Sequence, residues 1–124
     1  MATQLELHGT VICHMAGEIL LVRKENPEWS LPGGKVEKNE MPAEGASREL
    51  KEETGLALSN AEFLGHHVLA TEEHYLYRLA VQDADEPRPG AEIVECRWFS
   101  PKELEGVSVK PSNVELLRLH GYPN

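Results

Sequence analysis

Residues 32–56 read PGGKVEKNEMPAEGASRELKEETGL, and the fold turns on how this stretch is read. It opens on a Pro-Gly-Gly turn, passes through Glu40 and closes on Arg48-Glu49-Leu50-Lys51-Glu52-Glu53-Thr54-Gly55-Leu56. Pro42 suits the first turn of a helix and Gly55 suits its end, so a helix is expected between them. At about 100° per residue, Glu49, Glu52 and Glu53 share one stripe, beside a small apolar stripe that carries Ala46, Leu50 and Thr54. Like charges at this spacing repel by roughly a few tenths of a kcal/mol per pair on an exposed helix. Hard divalent cations with oxygen ligands relieve that repulsion, and Mg²⁺ is typically held by a few carboxylates together with substrate phosphates. A merely solvated face also favours Glu and Arg. The glycines decide for the metal, because they serve a turn that brings backbone close to an ion or a phosphate.

These residues resemble the Nudix family, whose pattern is Gly, five residues, Glu, seven residues, then Arg-Glu-aliphatic-x-Glu-Glu-x-Gly-aliphatic. Gly34 to Leu56 meet every specified position. The resemblance implies an α/β fold, an α/β/α sandwich around a mixed β-sheet, with the motif as a loop-helix-loop. It also implies Mg²⁺-dependent hydrolysis, with Mn²⁺ as a substitute, of a diphosphate linkage in a nucleoside triphosphate or nucleoside diphosphate derivative. An oxidised, MutT-like nucleotide is among the candidates. By position, Glu49, Glu52 and Glu53 match the metal ligands, Gly33 or Gly34 the close backbone approach, and Arg48 with Glu40 the charge pair that orients the helix. Gly34, Lys35, Arg23, Trp29 and Tyr75 are the expected substrate contacts.

Hydrolysis also requires a group that takes a proton from the attacking water, and a Glu within hydrogen-bond reach can do so. Glu52 and Glu53 can serve within the motif. Further along, Glu72, Glu73, Glu92 and Glu95 are available. Glu92 is preferred, because it follows the Pro87–Gly90 loop and precedes a strand. The competing function is a nucleotide-sensing module without catalysis, which would be expected to have lost motif acids. All are retained, so an enzyme is expected.

The 124 residues suffice for one domain, 1–124, with a real core. A formal net charge of -9 argues against binding to a nucleic-acid polymer, but not against a small-molecule nucleotide accompanied by a cation. Cys13 and Cys96 lack metal-ligand spacing and read as reduced thiols, which suits a cytoplasmic protein. Met1 to His8 show neither an apolar run nor a basic leader, so no membrane association is expected. A symmetric homodimer is compatible with a small domain of this kind.

Elsewhere, residues 4–15 and 18–23 read as a hairpin, and 61–71, 74–82 and 93–99 as strands. Residues 83–90 form a loop by composition. A short helix is expected from Pro101 after Ser100, and a last one capped by Ser112 with Leu117 inward. His66 and His67 are adjacent on a strand and point to opposite faces, so they are not expected to share an ion. Trp98 is expected in the core with Cys96 and Val94, and Tyr75 and Tyr77 share a face.

Overall fold

The structure is a computed structural model that describes residues 4–123, so Met1, Ala2 and Thr3 of the N-terminal stretch lie outside it. The strands are β1 (Glu6–Met15), β2 (Glu18–Arg23), β3 (Trp29–Ser30), β4 (Gly33–Lys35), β5 (Glu62–Val68), β6 (Glu72–Ala80) and β7 (Glu95–Phe99). The helices are α1 (Pro42–Thr54), α2 (Pro101–Glu105) and α3 (Pro111–Leu119). The sheet runs β3-β2-β1-β6-β5, with β4 pairing β1 and β7 pairing β2. β1 and β6 are parallel while the other pairs are antiparallel, so the sheet is mixed, as expected.

Alternation along β1 distributes the apolar residues to two cores. Val11 and Cys13 pack with Leu20 against Ala46 and Leu50 of α1. Ile12, with Ile19 and Leu21, packs on the other face against Leu104 of α2 and Leu116 and Leu117 of α3. Helices on both faces of one sheet make the α/β/α sandwich. Leu50 is fully buried, and truncation of such a residue to Ala costs about 2–5 kcal/mol. No helix among the described residues is long and apolar enough to cross a membrane.

The termini of α1 follow the sequence. Pro42 is its first residue, the Glu44 carboxylate accepts from the Met41 N–H at 2.8 Å, and Gly55 closes it in the left-handed conformation. Several boundaries differ, among them β1, which begins at Glu6 rather than residue 4, and β6, which runs Glu72–Ala80 rather than 74–82. β7 starts at Glu95 rather than Ile93, because the Ile93 N–H donates to the Gly90 carbonyl and closes a turn there. Val94 therefore stays outside the core, while Cys96 and Trp98 pack against it. α3 begins at Pro111 after Lys110, whose carbonyl accepts from the Val114 N–H, so Ser112 lies inside the helix rather than at its cap. β5 ends at Val68, and the Leu69 N–H turns back to the Glu72 carbonyl.

Candidate active site

The turn before α1 becomes strand β4, and its antiparallel pairing places Gly33 opposite Thr10 and Gly34 opposite Gly9 of β1. That pairing aims the backbone of Gly33 at the helix, where its N–H donates to Glu53 Oε1 at 2.9 Å. Gly34 faces Glu49 so closely that a Cβ there would stand 2.6 Å from the carboxylate. A side chain there would push that carboxylate from its present position.

Arg48 binds the loop to the helix. Its guanidinium grips Glu40 through Nε at 2.8 Å and Nη2 at 3.1 Å, holds Glu49 through Nη1 at 2.7 Å and reaches the Lys35 carbonyl at 3.1 Å. The Arg48 guanidinium and the Glu37 N–H hold Glu40 below the usual carboxylate range. The planar fork of Arg suits this two-handed grip.

Glu49 and Glu53 turn into a cleft of about 490 Å³ that Gly33, Gly34, Lys35 and Glu92 also line. Glu92 arrives on a loop docked against the end of α1, where the Gly90 N–H donates to the Glu53 carbonyl at 3.1 Å and the Arg88 N–H to the Thr54 carbonyl at 2.9 Å. A Cβ on Gly90 would collide with the Glu52 carbonyl, so the docking needs glycine at that position. Lys24 reaches Glu92 at 3.5 Å across the cleft.

Burial pushes the Glu53 carboxyl up to about 8, against the pull of the Gly33 N–H and with help from the charges of Glu49 and Glu92. A buried carboxyl crowded by two others keeps a proton at neutral pH unless a cation replaces it. With only oxygen donors and a cradle open at Gly34, the residues fit a hard divalent ion.

The other expected residues lie elsewhere. Glu52 is half-exposed on α1, 3.5 Å from Arg48 Nη1, and does not line the cleft. Arg23 pairs with Glu95 at 2.9 Å and lies over the ring of Trp29. Trp29 is buried edge-on against Phe99. Tyr75 stacks on His66 with ring centroids 4.4 Å apart. His66 bonds Glu73 and His67 bonds His120, so the adjacent histidines do face apart.

At its other end the cleft is lined by His8, Thr10, His74, Lys110 and Asn113. None of these stood out in the sequence. Thr10 Oγ1 lies 2.7 Å from His74 Nδ1, and His74 Nε2 lies 2.8 Å from Glu72 Oε1. Burial raises the cost of a charge on Glu72, yet hydrogen bonds from Ser112 and His74 with the charges of His8 and Lys110 bring it down to about 2. Burial lowers His74, so its imidazole is held neutral despite Glu72. Asn113 Oδ1 accepts from the Leu31 N–H at 2.8 Å and ties α3 to the chain just before the Gly33-Gly34 strand. The one sequence signal for this end was alternation, which puts His8 with Thr10, and Glu72 with His74, on common strand faces.

A family model described as NUDIX domain matches residues 8–119. YtkD of Bacillus subtilis, provisionally named an 8-oxo-dGTP diphosphatase, is 35% identical over 91 residues, covering 73% of this chain and 58% of its own length. A MutT-like protein of Streptomyces ambofaciens is 31% identical over 125 residues, covering 95% of this chain and 79% of its own. The chain thus spans less than two thirds of YtkD, and 65% of a second Bacillus subtilis relative. Among solved structures, a MutT NUDIX hydrolase from Burkholderia pseudomallei superposes with a TM-score of 0.74 at 25% identity, covering 94% of this chain and 98% of the other.

Proposed function

Since the chain belongs to the Nudix family, we propose that it is a Mg²⁺-dependent pyrophosphohydrolase that attacks a phosphoric anhydride bond of a small nucleotide. The observation that supports this most directly is the convergence of Glu49 and Glu53 on the backbone of Gly33 and Gly34, in a cleft that Glu92 also lines. Glu49 and Glu53 would hold the ion, and Arg48 keeps Glu49 in place. When bound, the ion supplies positive charge that stabilises the phosphoryl oxygens and acidifies the attacking water. Glu92 stands across the cleft, 3.5 Å from Lys24, as the acceptor of that water's proton. Lys35 and Lys24 flank the acids and can meet the outer phosphates of the substrate.

Among substrates, an oxidised purine nucleoside triphosphate is favoured, because YtkD is named for 8-oxo-dGTP and aligns over most of this chain. The test is product release from canonical and 8-oxo nucleoside triphosphates, sugar nucleotides and dinucleoside polyphosphates, each with Mg²⁺ and with chelator. Metal-dependent formation of a nucleoside monophosphate and pyrophosphate is expected from the 8-oxo substrate. Tight binding of a nucleotide with no turnover on any of the panel would instead establish a sensor.

A further inference from the structure

We propose that His8, Glu72 and His74 form a second cation site, suited to a borderline transition ion of the Zn²⁺ class and chemically distinct from the all-oxygen acids of α1. Parallel pairing sets His8 of β1 directly beside His74 of β6. Glu72 lies two residues before His74 and so shares its face of the sheet. His74 directs Nε2 at Glu72 Oε1 at 2.8 Å, while His8 Nε2 lies 3.4 Å from Oε2 of the same carboxylate and 3.1 Å from Glu6 Oε1, a contact that an ion would replace. One donor atom from each residue lies within 4.8 Å of the other two.

Zn²⁺ bonds to imidazole nitrogen and carboxylate oxygen are about 2.0–2.2 Å long, which separates tetrahedral donors by roughly 3.3 Å. The His8–Glu72 spacing already matches. The His74–Glu72 hydrogen bond must open by about half an ångström to reach that separation. Two imidazoles and one carboxylate select Zn²⁺ or its Co²⁺ surrogate over Mg²⁺, which prefers oxygen alone. Thr10 supports the arrangement from behind. Its hydroxyl lies against His74 Nδ1 and can donate or accept, so it can hold the ring when the Nε2 proton gives way to an ion. His8 and His74 line the cleft, which supplies the entry path.

Lys110 gives the proposal a sign that can be checked. Its Nζ lies 3.3 Å from each oxygen of Glu72 and neutralises that carboxylate in the absence of an ion. An incoming cation has to displace this ammonium. Removing the ammonium should therefore tighten ion binding, whereas a structural salt bridge alone predicts no such gain.

The test is titration of the whole chain with Co²⁺, read by visible absorption, in millimolar Mg²⁺ that satisfies the acids of α1. Wild type should take up one equivalent with the strong bands of a four-coordinate ion, and Zn²⁺ should displace it. His8→Ala should weaken binding at least tenfold, and His8→Gln should do likewise should the Ala variant lose its native circular dichroism. Lys110→Met should tighten binding several-fold. Glu49→Gln should leave the bands unchanged. Loss of the Co²⁺ signal in excess Mg²⁺, indifference to both His8 substitutions, or weaker binding in Lys110→Met would each overturn the site.

Discussion

The two ends of the cleft are built in opposite ways. At one end, Glu49 and Glu53 come from a single helical turn, Glu49 held by Arg48 of the same helix and Glu53 by the Gly33 N–H of the strand just before it. At the other, His8, His74, Lys110 and Asn113 come from β1, β6, the residue before α3 and α3 itself. A local cluster has its geometry set by helix periodicity, so neighbouring sequence is enough to specify it. An assembled cluster depends on strand register and on how α3 docks. The first end can therefore be perturbed without disturbing the fold, whereas the second carries structural bonds as well as polar lining.

That contrast predicts its largest effect at Glu53. Glu53→Gln should reduce metal-dependent turnover on the order of 10³-fold, with thermal stability retained or raised, because the substitution removes a buried carboxyl that burial already disfavours as a charge. Turnover within tenfold of wild type would show that Glu53 does not hold the ion. Arg48→Ala comes next. It releases Glu40, Glu49 and the Lys35 carbonyl together, and should cost about 10–100-fold in Mg²⁺ affinity, measured as the metal dependence of the rate. Arg48→Lys should recover little of this, because a single ammonium cannot grip Glu40 with two nitrogens. Full recovery by Lys would reduce the role of Arg48 to bulk charge.

How far the sequence could be read follows the same division. The acids of α1, its Pro42 start and its Gly55 end were all visible as local chemistry, and so was the Ala16-Gly17 hairpin. The partners of those acids were less visible. Glu92 could be singled out only by its place after a loop, since its approach to the helix depends on how closely Gly90 packs on the Glu52 carbonyl. Glu52 shares the helical stripe with Glu49 and Glu53, yet stands half-exposed beside Arg48, while Glu49 and Glu53 lie against β4. His8 and His74 lie 66 residues apart in sequence and meet only through the parallel β1–β6 register. No periodicity in either strand announces that pairing. Trp29 was expected as a substrate contact, whereas its side chain packs edge-on against Phe99 in the core.

Asn113 tests the claim that the assembled end carries structure. Its Oδ1 satisfies the buried Leu31 N–H, so Asn113→Ala leaves that donor without a partner and should cost about 1–3 kcal/mol in urea unfolding. Asn113→Asp keeps an acceptor oxygen and should lose less. An Ala variant as stable as wild type would mean that the contact between α3 and the strand before the cleft is dispensable.

The smallest effect is expected at Tyr75, an expected substrate contact that sharpens the comparison from outside both ends. Its neighbours His74 and Leu76 point to the α3 side of the sheet, so strand alternation turns Tyr75 to the α1 side. There it stacks on His66 and Phe63 across the β5–β6 pair. Cross-strand pairs of this type are worth about 0.2–1 kcal/mol. Tyr75→Ser should therefore lower stability by no more than that and change KM less than about twofold, since ordinary surface substitutions stay within about half a kcal/mol. A KM that rises tenfold with kcat unchanged would bring the nucleotide out of the cleft and onto the β5–β6 aromatic face. The Glu49–Glu53 end would then act on a substrate held outside the cleft, and the placing of substrate contacts at Lys24 and Lys35 beside those acids would fail.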